Sequence, residues 1–182
     1  MKKIIIIGAG AMGSAFAVPC LENKNEVTLV GTHLEDELIN NIQLNNNFHP
    51  ALNIELPSKL KVEKFEKLQS ILEGGIDIIV AGVSSVGIEW FVKQITKSYK
   101  KNTPIILLTK GLAIEDNELI TLSDKIKKLL KDQGHTDVNI SAIKGPCLAA
   151  GLAYKMRTGT VIANPDIKET EKLKKIISTD YY

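Results

Sequence analysis

At 182 residues the chain has room for one well-cored domain and little for an independent second. Its 44% hydrophobic and 24% charged residues, with 23 basic against 21 acidic side chains, fit a soluble globular protein and argue against a nucleic-acid partner, which needs a clustered basic surface. The longest apolar run, residues 4–7, falls far short of the roughly 20 that would span a bilayer. Cys20 and Cys147 lie far apart without metal-ligand spacing, so reduced thiols in a cytoplasmic protein are expected, with no metal site.

Taken in chain order, β-branched runs at 4–7, 27–30, 76–80, 105–108, 138–142 and 160–163 alternate with helical periodicity at 11–21, 35–41, 66–72, 86–97, 117–130, 147–155 and 168–177. That alternation is the signature of a mainly parallel sheet. The runs IIII, IDIIV and PIILL read as continuous apolar segments, as strands covered on both faces should, so an α/β, doubly wound, Rossmann-like dinucleotide-binding domain is expected over residues 1–182. Glycines break the first run at once, which favours a strand over the core of a signal peptide. Pro19 sits late in the first helix and implies a kink or fraying there. Residues 43–59 are polar and proline-punctuated, and an irregular excursion is expected.

Gly8-Ala9-Gly10-Ala11-Met12-Gly13 follows the first strand and opens the first helix. Gly8 permits a tight turn, Gly10 lets backbone approach a pyrophosphate, and Gly13 lets helix pack against strand. The unpaired N–H groups and dipole of the helix start favour that anion. In NAD sites of this kind an acid about 20 residues on accepts the ribose 2′-hydroxyl. Here the second strand ends Val30-Gly31-Thr32-His33, with no carboxylate at its tip. Glu35 and Asp36 follow at a helix start, where complementing the helix dipole is a sufficient role. Thr32 and His33 could donate to a 2′-phosphate, so the cofactor reads as NAD or NADP with a slight lean to NADP.

Thr109-Lys110-Gly111-Leu112 follows the strand at 105–108 and puts Lys110 at the carboxyl edge, where open α/β sheets bind ligands. An ammonium there suits a phosphate or a developing alkoxide. Gly82-Val83-Ser84-Ser85 and Gly145-Pro146-Cys147 should converge on the same crevice.

These segments together resemble the NAD(P)-dependent glycerol-3-phosphate dehydrogenases of bacterial and archaeal type. The match runs through IIIIGAGAMGSAFA, VTLVGTH, His49-Pro50 with a later Leu-Pro, AGVSS, ILLTKGL and GPCLAAGLA. The resemblance implies that Gly8, Gly10, Ala11, Met12 and Gly13 hold the cofactor phosphates, that His33 lies near the adenosine ribose, and that Ala149 touches the cofactor. It implies that Lys110 meets both cofactor and substrate as the catalytic cation, while Gly145 and Cys147 line the site for dihydroxyacetone phosphate or glycerol 3-phosphate. His49 and Pro50 fall in the family's loop near the cofactor cleft. Departures from the family pattern are Cys147 for a serine, Gly151 for a glutamate, and Arg157 for a proline.

The resemblance further implies a role in glycerol-3-phosphate metabolism and phospholipid biosynthesis. It also implies a helical second domain, carrying the proton-transferring lysine, that is absent from these residues, so the chain alone is expected to bind cofactor and to turn over negligibly. A homodimer stays open. Competing readings are the nucleotide half of a 3-hydroxyacid or ketopantoate-type dehydrogenase, and a free-standing NAD(P)-sensing module. Trp90 is expected in the core with no site role, His135 in an exposed turn, and Lys125, Lys127, Lys128 and Lys131 on the solvated face of an amphipathic helix.

Overall fold

A computed structural model describes all residues, 1–182. Its centre is a seven-stranded sheet in the order β11-β10-β7-β6-β1-β2-β5. The strands are β1 (Lys3–Ile7), β2 (Glu26–Val30), β5 (Lys61–Glu63), β6 (Ile78–Ala81), β7 (Ile105–Leu107), β10 (Ile140–Lys144) and β11 (Val161–Ala163). All pairings are parallel except that of β10 with β11. From β1 the chain winds outward to β2 and β5, then returns across β1 to continue through β6, β7 and β10. The order reverses between β1 and β6, and such a switch opens a crevice at the carboxyl ends of the strands.

The four isoleucines of β1 show why the sheet is buried on both sides. Ile4 and Ile6 enter a core with helices α1 (Ala11–Glu22), α2 (Asp36–Leu44), α6 (Ala149–Ala153) and α7 (Ile167–Ile177). Ile5 and Ile7 enter a second core with α3 (Leu68–Glu73), α4 (Ile88–Ile95) and α5 (Leu122–Asp132). With period-two side chains and a core on each face, a run of apolar residues is the only pattern that leaves no polar group stranded. None of the helices is long and apolar enough to cross a membrane.

Several expected elements differ. The segment 117–130 is not one helix. Its first residues belong to a hairpin of β8 (Leu112–Glu115) and β9 (Glu118–Thr121), with Asp116 and Asn117 at φ 49° and 65° in the turn. Positive φ at both central residues is what a tight hairpin turn demands, and Asp and Asn tolerate it. The helix starts only after Thr121, whose hydroxyl accepts the Asp124 N–H at 3.1 Å.

The excursion at 43–59 is also more ordered than expected. It holds the short pair β3 (Phe48–His49) and β4 (Ile54–Glu55), and it buries His49, Leu52 and Leu56. Strand β5, just after it, has one buried side chain, Val62, too little pattern to read. α1 runs three residues past Pro19 instead of fraying there, and the Asn23 amide donates to the Pro19 carbonyl at 3.0 Å. His135 is half-buried and not exposed: its ring meets Tyr99 edge-on at 5.2 Å and its Nε2 lies 3.2 Å from the Thr96 carbonyl.

Candidate functional site

The glycine loop sits where the switch point requires a ligand loop. Gly8 has φ +110°, and a Cβ there would stand 2.7 Å from the backbone of Gly82, at the end of β6. A Cβ on Gly13 would stand 2.1 Å from the Gly8 carbonyl. Loop, helix and neighbouring strand are thus packed backbone on backbone. Gly10 is different. It has φ −61°, caps α1 without any side-chain hydrogen bond, and a Cβ on it would meet nothing nearer than a Glu35 oxygen at 3.9 Å. The loop is closed below and open above Gly10, a cradle shaped for an anion against the start of a twelve-residue helix.

Ala9, between the first two glycines, is held from both sides. Its carbonyl accepts from Ser14 Oγ at 3.0 Å and from His49 Nε2 at 3.0 Å. The other ring nitrogen of His49 accepts the Leu52 N–H at 3.2 Å, so these partners assign the proton to Nε2. His49 is 1% exposed. It is therefore a buried prop beneath the loop and not a ligand in the cleft. The Ala9 N–H donates to Glu35 Oε2 at 3.0 Å, and the same oxygen accepts the Thr32 N–H at 2.7 Å. Glu35 thus does more than complement a helix: its side chain folds back to join the tip of β2 to the glycine loop.

His33 is exposed beside that tip and stacks at 5.1 Å on Trp90, which in turn lies 5.4 Å from Phe65. Trp90 is half-buried, packing on the core as expected while also completing this aromatic group. Three distant segments build the group, so no local motif announces it.

Across the crevice, the ends of β6, β7, β10 and β11 are laced together. Thr109 Oγ1 donates to the Val83 carbonyl at 2.6 Å. Lys110 Nζ donates to the Gly145 carbonyl at 2.8 Å and to that of Cys147 at 3.4 Å, and Lys144 Nζ donates to the Thr109 carbonyl at 2.8 Å. Neither ammonium is paired with a carboxylate. Burial, with Lys110 close by, lowers the Lys144 pKa from the ordinary lysine value. Lys144 was not among the expected site residues; β10 runs two residues beyond the expected 138–142 and ends on it. Gly145 has φ +120°, and a Cβ on it would stand 3.3 Å from the backbone of Gly159 and of Thr160, so the turn packs close against that segment. The Cys147 thiol is buried in the core, so only its carbonyl reaches Lys110. Ala149 opens α6, half-buried against the core that α1 shares.

The opposite edge of the sheet also carries a groove, lined by Lys2, Asp77, Asn139, Asn164 and Glu169 among others. Several of its polar groups pair with one another: Lys2 with Asp77 at 3.2 Å, while Asn139 donates to Glu169 at 2.7 Å and Asn164 to Asn139 at 2.9 Å. It lies at the amino ends of the strands, away from the crevice.

Residues 3–170 match the family model described as NAD-dependent glycerol-3-phosphate dehydrogenase N-terminus. The chain is 35% identical over 181 residues to the NADP(+)-dependent glycerol-3-phosphate dehydrogenase of Archaeoglobus fulgidus, which covers 98% of this chain and 51% of the relative. It is 30% identical to the glycerol-3-phosphate dehydrogenase (NAD(P)+) of Mesoplasma florum, over 100% of this chain and 52% of the relative. The crystal structure of glycerol-3-phosphate dehydrogenase from Coxiella burnetii superposes with TM-score 0.83 at 21% identity, over 99% of this chain and 52% of that one. The chain spans about half the length of the curated relatives it matches.

Proposed function

Because the chain belongs to the family of NAD-dependent glycerol-3-phosphate dehydrogenase N-termini, we propose that it forms the cofactor-binding half of an enzyme interconverting dihydroxyacetone phosphate and sn-glycerol 3-phosphate. The observation that carries the reading is the loop at Gly8–Gly13, closed beneath and open above Gly10, opposite the paired lysines at the ends of β7 and β10. The cofactor, NAD or NADP, supplies or accepts the hydride when bound.

The chain's own residues orient and stabilise. The N–H groups of Ala11, Met12 and Gly13 at the start of α1 face the pyrophosphate, and His33 flanks the adenosine. Ala149 closes against the cofactor from α6. Lys110, already aimed at the turn of Gly145 and Cys147, meets the substrate's phosphate or the oxygen that gains charge as hydride arrives. Gly145 and the Cys147 carbonyl shape that wall. The family's proton-transferring lysine has no counterpart proposed among these residues, so binding and turnover should separate. Cytoplasmic location, glycerol-3-phosphate metabolism supplying phospholipid synthesis, and a homodimer belong to the same proposal.

The purified chain should bind reduced cofactor saturably yet reduce dihydroxyacetone phosphate negligibly, read as NADH or NADPH absorbance over time. Robust reduction would overturn the division of labour. The hydroxyacid-dehydrogenase and sensor readings gain no observation of their own.

A further inference from the structure

Glu35 ties the β2 tip to the glycine loop with one carboxylate oxygen, Oε2, bound by two backbone N–H groups. The other oxygen, Oε1, has no hydrogen-bond partner and lies beside the open face of Gly10. It stands 22 residues beyond Gly13, the spacing at which an acid in this fold accepts the ribose 2′-hydroxyl. Counting to the end of the strand misses it, because the chain passes through Thr32, His33 and Leu34 before the side chain returns. The surrounding segment is acidic: Glu35, Asp36 and Glu37 follow one another, with His33 the one titratable base between Gly31 and Glu37. The only arginine of the chain, Arg157, belongs to the loop after α6.

We propose, resting on the cofactor-binding reading above, that Glu35 is the residue selecting between the two dinucleotides. Its free oxygen accepts the 2′-hydroxyl of the adenosine ribose, and its charge disfavours a 2′-phosphate, so the chain holds NADH more tightly than NADPH. The relatives' names include both NADP(+)-dependent and NAD(P)+ enzymes, so family membership alone does not fix this choice. The slight lean to NADP drawn from the sequence rested on a strand tip without an acid, and the fold places one there.

The test is titration of the chain and of Glu35→Gln with NADH and with NADPH at one fixed ionic strength. The glutamine keeps an acceptor and removes the charge, so the ratio of the two affinities within each protein is independent of small losses in stability. The wild-type chain should favour NADH, and the variant should shift the ratio towards NADPH by about tenfold, the change expected for relieving about 1.4 kcal/mol of like-charge repulsion. A wild-type preference for NADPH, or a variant in which both affinities move together, would overturn the proposal and leave Glu35 as a loop tie only. Binding of neither dinucleotide by the wild-type chain would instead sink the cofactor-binding reading itself.

Discussion

The peptide of Ala9 is the most constrained backbone at the site: Ser14 and His49 hold its carbonyl, and Glu35 holds its N–H. Every one of those partners comes from a different element, so the loop's shape depends on three chain segments meeting. Replacing His49 by alanine removes one donor to Ala9 and one acceptor for the Leu52 N–H in a fully buried place. Ser14 Oγ still reaches the Ala9 carbonyl and the Leu52 N–H keeps its bond to the backbone carbonyl of residue 49 at 3.2 Å, so the loss is that of two buried bonds and the packing of the ring, about 1–3 kcal/mol. His49→Ala should therefore melt several degrees lower and bind reduced cofactor more weakly, seen in a thermal melt and a parallel titration. An unchanged melt with unchanged affinity would show that Ser14 alone suffices.

At the same scale, the glycine loop was legible from the residues and the roles of Glu35 and His49 were not. Gly8 and Gly13 act through steric limits that any strand-turn-helix with that spacing shares. Glu35 and His49 act through side chains that reach back across the fold, and linear distance conceals that.

Among the elements, the amino end of β1 is tied to the start of β6 by Asp77. Its carboxylate accepts the Lys3 N–H at 2.8 Å and pairs with Lys2. The Lys3 backbone bond, more than the Lys2 charge, holds the Asp77 carboxyl below its usual pKa. A carboxyl depressed in the fold stabilises above its unfolded pKa, and that contribution is lost as pH falls through the folded value. Asp77→Asn should thus lower stability near neutrality and flatten its decline on acidification below the ordinary aspartate range, as followed by urea melts at stepped pH. Equal acid slopes for both proteins would contradict this. The group is well exposed, so the effect should be modest.

The elements also show where pattern reading stops. β1, β6 and β7 were legible because burial on two faces forces continuous apolar runs; β2 was found despite Thr28, and β10 lies two residues later than the expected 138–142, a run broken by Asn139 and Ser141. The β8–β9 hairpin was not recognised, although Asp116-Asn117 between LAIE and ELIT is a turn signal and Thr121-x-x-Asp124 marks a helix start. Helical periodicity in the lysine-rich stretch extended the expected helix backwards across those signals. β5 was invisible for a simpler reason: three residues with one buried valine hold no period.

For the molecule as a whole, the sheet order sets where chemistry can occur. Reversal between β1 and β6 puts the glycine loop, the Glu35 carboxylate and the lysines after β7 and in β10 on one edge, while the groove at the opposite edge holds charged and amide pairs of its own. We propose that a dinucleotide's pyrophosphate lies in the open space over Gly10. Because a Cβ there would come no closer to the fold than 3.9 Å, to a Glu35 side-chain oxygen, Gly10→Val should leave the chain folded while filling that space. The decisive measurement is calorimetric titration of the wild-type chain and Gly10→Val with reduced nicotinamide dinucleotide, alongside their thermal melts. The account requires saturable binding by the first, closely matched melting temperatures, and loss of binding by the second; a valine variant that binds as well as the wild type would contradict it.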